Sequence, residues 1–482
     1  MAVCARPLRR TPWCRDVVPL CSVRAGALAP VSAAVLIALL TVAATSASAQ
    51  SLSYTEALQR VQDANERIRS AGAGVDRARA DRDAARGRRL PEVSVAGRST
   101  RIDDDIVIDL DPIRQVILGL HPTVPSAAIP SFTQVVQRER FNNLTLNASV
   151  PLFSGGRISA GIRAANAGID VAREQERGTR HEVATELAQR YFGLQLANEN
   201  RLTREVTRDN MAQHVERARS LERNGQIARA ERLRAEVALA DTERDLQQAV
   251  REQRMASLAL ASTISSDTAI VPTTPLFRVG DIAPVDSFQA IAEKTSPILA
   301  RLAAEQARAR EATRAARGEL LPTVGAFLQR ELYTKDLTLL QPTWATGVAL
   351  SVPVFQGGQR LNRIEAAHAV VRQVDFMRTR ARRDIALLTA SRYELVQQAR
   401  DQLVSLEATQ ALAEESLRAQ RVAFAAGLAT SLDVVDAEQA LARVRLGMLK
   451  ARYDADIALA GLLEAAGISE RFPEYITKEA GR

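Results

Sequence analysis

Beyond residue 21 the chain has no cysteine: its three, Cys4, Cys14 and Cys21, all lie near the start. That excludes disulfide scaffolding, thiolate metal sites and thiol redox chemistry from the rest of the chain. Aromatics are only 4% of the 482 residues, a composition that disfavours sandwiches and compact α/β units. The four histidines (His121, His181, His214, His368) are scattered, with no HExxH and no paired ligand spacing. No G-x-S-x-G nucleophile elbow occurs, and no glycine run continues into GxGxxG or GK[S/T]. Carboxylate pairs at helical spacing arise by chance in a chain that is 25% charged. Nothing therefore points to catalysis, a cofactor or a resident metal.

An apolar run long enough to cross a bilayer as a helix is also missing. The one apolar stretch, Val31 to Ala44, follows a basic segment (Arg6, Arg9, Arg10, Arg15, Arg24) and precedes Ala47-Ser48-Ala49. That order predicts a signal peptide over 1–49, with Gln50 or Ser51 at the new N-terminus and no cysteine there to carry a lipid. Five arginines and one aspartate leave with it, so a formal +8 becomes about +4. The remaining cations alternate with Glu and Asp along helical stretches, the pattern of an ion-paired surface and not of a nucleic-acid binder.

What is present is a duplication. Arg86-Gly87-Arg88-Arg89-Leu90-Pro91 resembles Arg317-Gly318-Glu319-Leu320-Leu321-Pro322. Pro151-Leu152-Phe153-Ser154-Gly155-Gly156-Arg157 resembles Pro353-Val354-Phe355-Gln356-Gly357-Gly358-Gln359-Arg360. Asn224-Gly225-Gln226, with Ala235-Glu236 and Leu239 downstream, resembles Ala426-Gly427-Leu428, with Ala437-Glu438 and Leu441. The period is about half the chain, so two tandem copies of one large unit are predicted.

Each copy reads alike. The first repeat covers 50–262: a helical stretch (Tyr54 to Gly87), strands at about 91–102 and 141–153, a long helix over 157–223 and a return helix over 227–262. A linker over 263–286 follows. The second repeat covers 287–466: a helical stretch (Ser287 to Gly318), strands at about 322–333 and 343–355, a long helix over 360–425 and a return helix over 429–466. A tail over 467–482 ends the chain. At 1.5 Å per residue each long helix is ~100 Å, far beyond a globular helix, so each needs partners along its whole length.

Leu432, Val435, Gln439, Ala442, Leu446 and Leu449 form one 3/4-spaced seam, and Val434, Ala437, Leu441, Val444 and Met448 a second. Two seams suit a helix with a neighbour on either side, as in a closed cylinder of helices; one broad apolar face is the alternative. In the strands, Leu144, Leu146, Ala148, Val150 and Leu152 alternate with Asn143, Thr145, Asn147 and Ser149. Val348, Leu350, Val352 and Val354 do the same in the second copy. Apolar-out, polar-in alternation over about ten residues is the pattern of a transmembrane barrel strand. Four strands cannot close around a lumen, so the barrel must be shared between subunits. Trp344, at the start of the last strand, suits a membrane-interface girdle.

On these residues the chain resembles the TolC family of outer-membrane efflux proteins. The likeness rests on the paired Pro-Leu-Phe-Ser-Gly-Gly-Arg and Pro-Val-Phe-Gln-Gly-Gly-Gln-Arg corners, the paired Leu-Pro steps into the strands, and the turn Gly427-Leu428-Ala429-Thr430-Ser431-Leu432-Asp433-Val434-Val435-Asp436-Ala437. It implies a mixed α and transmembrane β fold. In it a homotrimer shares a twelve-stranded β-barrel, four strands per chain, that continues into a long α-helical coiled-coil periplasmic tunnel. It also implies a place in the outer-membrane lipid, and work with a periplasmic adaptor (membrane fusion) protein and an inner-membrane pump of RND or ABC type. The loop Asp103 to Arg140 would be extracellular, and Tyr333 to Pro342 its shorter counterpart.

The family's aspartates at the periplasmic constriction match Asp433 and Asp436, which three copies would arrange as an acidic, cation-selecting ring. An ordinary solvated helix face has the same spacing. Glu231 and Arg234 hold the matching positions of the first copy. Phe424, with Arg229 near the same tip, stands where relatives use tyrosine and ionic contacts to hold the aperture shut, and without a hydroxyl it suits packing. Gly225, Gly427 and Leu428 lie in turns that would dock the adaptor, and a plain helical turn explains the glycines as well. Gly155, Gly156, Gly357 and Gly358 suit the bends where strand becomes helix. The reading is an exit duct for efflux or type I secretion, against a trimeric coiled-coil adhesin or a periplasmic structural protein.

Overall fold

The computed structural model describes residues 50–266, 268–338 and 341–480, so the expected signal peptide lies outside the described residues. In the first half, β1 (Gln50–Leu52), α1 (Tyr54–Ala64) and α2 (Glu66–Gly87) lead into β2 (Glu92–Arg101). Then come β3 (Ile106–Asp109), α3 (Asp111–Leu120), β4 (Thr133–Gln137), β5 (Arg140–Phe153), α4 (Arg157–Arg223) and α5 (Arg229–Thr263). The second half holds β6 (Ile270–Pro272), α6 (Val285–Thr295), α7 (Pro297–Gly318), β7 (Thr323–Glu331), β8 (Trp344–Ser351), α8 (Gln359–Ala425), α9 (Ser431–Ala465) and α10 (Phe472–Ala480). The halves match in length: α1 and α6 have 11 residues, α2 and α7 22, α4 and α8 67, and α5 and α9 35.

The helical stretch expected ahead of the strands is two helices in each half. Asn65 leaves the helix at φ −66°, ψ 129° and its side chain accepts from the Arg67 N–H, capping α2. Ser296 is extended because Pro297 follows, and the proline then starts α7. At these breaks the return helices arrive end to end. Asn65 Nδ2 donates to the Thr263 carbonyl at 3.3 Å, and Ser265 Oγ donates to the Glu66 carboxylate at 3.0 Å. In the second half Thr295 Oγ1 donates to the Ala466 carbonyl at 2.6 Å. Gly467 (φ +70°) is required there, since a Cβ would lie 2.7 Å from the Thr295 carbonyl oxygen.

Side by side, the helices run α2–α4–α7–α8 next to the sheet and α5–α4–α9–α8 toward the turns. Ala437 and Leu441 of α9 pack on Leu417 of α8, Met448 packs on Leu403 of α8, and Val435 reaches Met211 of α4. So α9 has one neighbour on each flank. The main core lies at the end-to-end junctions, where Tyr54, Tyr191, Phe192, Phe277 and Phe472 form edge-on and stacked ring pairs 5.2–5.9 Å apart. The Tyr191 hydroxyl donates to the Leu52 carbonyl at 2.8 Å and accepts from the Thr273 and Thr274 N–H groups at 3.0 and 2.9 Å. It thereby holds β1 parallel to β6.

The linker and tail are thus structured: β6 and the start of α6 fall within 263–286, and α10 brings Phe472 into the aromatic core. The 103–140 segment, expected as a loop, holds the antiparallel pair β3–β4 and α3, with Arg114 of α3 donating to the Ser126 and Ile129 carbonyls at 2.8 and 2.9 Å.

The main sheet is antiparallel, in the order β2-β5-β7-β8. Its register puts Val93 opposite Ala148, Val95 opposite Leu146, and Ala326 opposite Val348 on one face. Ser94 opposite Asn147, Ala96 opposite Thr145, and Asn147 opposite Gln329 occupy the other. The first face is mostly apolar, with Arg330 and Thr346 among its exceptions, and the second carries most of the polar side chains, with Phe327 its large apolar exception. The last strand ends at Ser351, four residues before the expected limit at 355, because β7 offers no ladder partner before Thr323.

Candidate functional site

The tip is built from two helical reversals. Each long helix ends at a glycine in the left-handed region, Gly225 at φ +70° and Gly427 at φ +71°. The next N–H turns back to the helix: Gln226 to the Leu221 carbonyl and Leu428 to the Ala423 carbonyl, both at 2.9 Å. This is the Schellman closure, and nothing lies within 4 Å of a Cβ placed on either glycine. Leu428 is 84% exposed at the end of the second turn.

After the turns the two copies diverge. Thr430 caps α9 with a full capping box: Asp433 Oδ2 accepts from the Thr430 N–H and hydroxyl, both at 2.7 Å. Those bonds hold the Asp433 carboxyl below its ordinary pKa, so it stays ionised. In the first copy Ala228 stands at the cap and has no side-chain acceptor. Glu231, the counterpart of Asp433, turns instead to the Ser431 N–H of α9 at 2.9 Å and pairs with Arg234 at 2.7 Å. Asp433 and Asp436 are both exposed on α9, and neither pairs with a cation among the described residues.

Phe424 lies inside the tip, 3% exposed, among Val215, Ala218, Ala235 and Val434. Its ring packs on His214 at 4.8 Å. His214 Nε2 shares a 2.7 Å hydrogen bond with Ser431 Oγ. Burial, reinforced by Arg217 and Arg421, pushes the imidazole down to about 4, so it is neutral at ordinary pH. Nearby, Arg421 pairs with the buried Glu438. Sequence reading missed His214, Ser431 and the Arg421–Glu438 pair. A lone histidine and a serine 217 residues apart give no local signal.

The corners form the other end. Gly155, Gly156, Gly357 and Gly358 all have positive φ, between +57° and +78°. Gly156 and Gly358 each stand immediately before a long helix. Trp344 opens β8 opposite Arg330, on the apolar face of the sheet and exposed. Among the described residues no helix is long and apolar enough to cross a membrane, and no cluster of His, Cys, Asp and Glu could hold a metal.

A sequence profile for "Outer membrane efflux protein" matches residues 57–265 and 290–468. The chain belongs to the outer membrane efflux protein family. This efflux protein is 25% identical over 338 residues to the cobalt-zinc-cadmium resistance protein CzcC of Cupriavidus metallidurans, a match spanning 68% of this chain and 78% of the relative. Its fold is similar to that of CusC, with TM-score 0.72 and 18% identity, over 86% of this chain and 91% of that one. It is also similar to the outer membrane protein VceC of Vibrio cholerae, with TM-score 0.67 and 17% identity, over 86% and 96%. The efflux protein is an exit duct of the outer membrane with a large periplasmic portion; it is neither an enzyme nor an adhesin.

Proposed function

We propose that three copies of this efflux protein close one twelve-stranded barrel and a continuous helical tunnel. The trimer is the passive outer segment of a tripartite efflux or type I secretion assembly, with a periplasmic adaptor and an inner-membrane pump of RND or ABC type behind it. The observation that carries this reading is the four-stranded sheet, mostly apolar on one face and mostly polar on the other, with β2 and β8 as edges. Four strands enclose no aqueous lumen, and unpaired edges in a membrane leave orphaned ladder groups, so further copies must supply the closure.

In such a trimer Trp344 lies in the outer girdle, and Asp433 and Asp436 recur three times around the tip, flanked by the Glu231–Arg234 pair. Phe424 supports that aperture from inside the bundle, through its packing on His214. The two glycine turns, with exposed Leu428, are the surface offered to the adaptor. Gly155-Gly156 and Gly357-Gly358 carry each strand into its helix. Selection of cargo belongs to the pump, and the likeness to CzcC makes cobalt, zinc and cadmium ions the first cargoes to try.

The test is planar-bilayer conductance of detergent-extracted protein, with multivalent cations added on the periplasmic side. Discrete openings, blocked from that side, are expected. Monomeric protein that never conducts, even with the tip gate disrupted by substitution, would overturn the reading.

A further inference from the structure

We infer that neighbouring copies meet in one specific register, with Val352 of one opposite Val95 of the next and Gly357 of the first packed on Gly87 of the second. This inference rests on the shared barrel proposed above.

The two halves superpose residue for residue where each forms its own hairpin. Glu92 faces Ser149 in the first, and their equivalents Thr323 and Ser351 face each other in the second. Val93 faces Ala148 as Val324 faces Leu350, and Val95 faces Leu146 as Ala326 faces Val348.

Within the main sheet the halves also meet once, through β5 and β7. There Val150 faces Ala326, Ser149 faces Phe327 and Phe153 faces Val324. The counterparts of β5 and β7 are β8 and β2, the two edges of the sheet. Repeating the internal contact between copies puts Val352 against Val95, Ser351 against Ala96, and Phe355 against Val93. It also accounts for the early end of β8. β5 runs on to Phe153 because β7 lies beside it, whereas Val352 and Phe355 are 52% and 85% exposed in the single chain.

The glycines supply an independent observation. Where the halves meet, Gly155 of the corner touches Gly318 at the end of α7. A Cβ on Gly155 would lie 2.4 Å from the Gly318 carbonyl oxygen, and one on Gly318 would lie 2.5 Å from that of Gly155. No real side chain tolerates such distances, so both must be glycine. Their counterparts, Gly357 and Gly87, are also glycine, yet nothing lies within 4 Å of a Cβ on either one. Gly357 needs to be glycine for its φ of +57°, but Gly87 has no positive φ. Neither its own backbone nor its own chain demands glycine at 87. A second copy seated as Gly155 is seated on Gly318 does.

Cysteine pairs test the register, because residues 50–482 contain no native cysteine. Positions 95 and 352 lie on opposite edges of one chain, so a disulfide between them joins two copies. Full-length Val95→Cys/Val352→Cys and Ala96→Cys/Ser351→Cys should each give covalent oligomers up to trimer on oxidation. Ser99→Cys/Val352→Cys, four residues out of register and ~13 Å apart, should not. A trimer in which only the displaced pair links, or no pair links, overturns the register and leaves the shared barrel standing. Protein that stays monomeric in every variant and in the parent overturns the barrel itself. Gly87→Val should lower the trimer's dissociation temperature while helix content is kept, with Gly119→Val unchanged. An unaltered Gly87→Val trimer overturns the glycine contact.

Discussion

His214 and Ser431 share a 2.7 Å hydrogen bond at the point where the four helices of the tip converge. α4 contributes the imidazole, α9 the hydroxyl, α8 the Phe424 ring packed at a tilt of 55° against the imidazole, and α5 the Glu231 carboxylate on the Ser431 N–H. The Ser431 side chain and backbone thus tie together the two hairpins of the tip.

That tie should be visible as a pH dependence of stability. The folded imidazole titrates at about 4 against 6.5 for a free one. Between those values the unfolded chain holds a proton that the folded chain does not. The stabilisation is complete above about 6.5 and is lost as pH falls toward 4. His181, also lowered by burial, acts in the same direction. The thermal midpoint of the parent should fall from pH 7 to 4.5, and His214→Gln should make that slope shallower. Equal slopes in the two proteins would show that His214 does not carry it.

Asp433 and Asp436 separate capping from charge. Asp433→Ala removes the half of the capping box in which its carboxylate accepts from the Thr430 N–H and hydroxyl, together with a tip carboxylate, and leaves the Thr430 hydroxyl on the residue-433 N–H. Asp436→Asn removes only the carboxylate. Both should weaken block by trivalent cations in bilayer recordings, and only the first should lower the thermal midpoint. Undiminished block in Asp436→Asn would remove that residue from the acidic ring.

Tyr191→Phe takes the hydroxyl away from the Thr274 N–H and strips one of two hydrogen bonds from the Leu52 carbonyl and the Thr273 N–H, which keep each other at 3.1 Å. Buried unsatisfied groups cost roughly 1–3 kcal/mol. The variant should melt earlier and be cleaved sooner by protease between residues 268 and 280. A parental melting curve would mean that water replaces the hydroxyl there.

Gly225→Ala and Gly155→Ala share a positive φ and differ in their surroundings. The first should cost about 1–2 kcal/mol of backbone strain, because the turn is open. The second adds a clash with the Gly318 carbonyl oxygen and should reduce folded protein in the membrane sharply. Equal yields would contradict the corner packing.

The long helices are legible because no proline interrupts Arg157–Arg223 or Gln359–Ala425 and a glycine stops each one. The sheet's two faces are legible from the period-two pattern around Leu144–Val150. The helix break at Asn65 is not, because Asn is tolerated inside helices, and the contact of its Nδ2 with the Thr263 carbonyl comes from a distant part of the chain. β3, α3 and β4 were hidden for another reason: a short pair of strands beside an isolated helix has no periodicity long enough to register. At the tip, spacing placed Asp433 and Glu231 at matching positions. The residue three positions before them, Thr430 or Ala228, decides which carboxylate caps its own helix and which reaches across to another.

The breaks at Asn65 and Ser296 have a mechanical consequence. α4 and α8 are single rods from turn to corner, so a load applied at the tip meets unbroken helical hydrogen bonding along their whole length. α5 with α2, and α9 with α7, are jointed at the aromatic core and can absorb the same load as a bend. The wall is thus built of two kinds of strut, one continuous and one hinged at its middle.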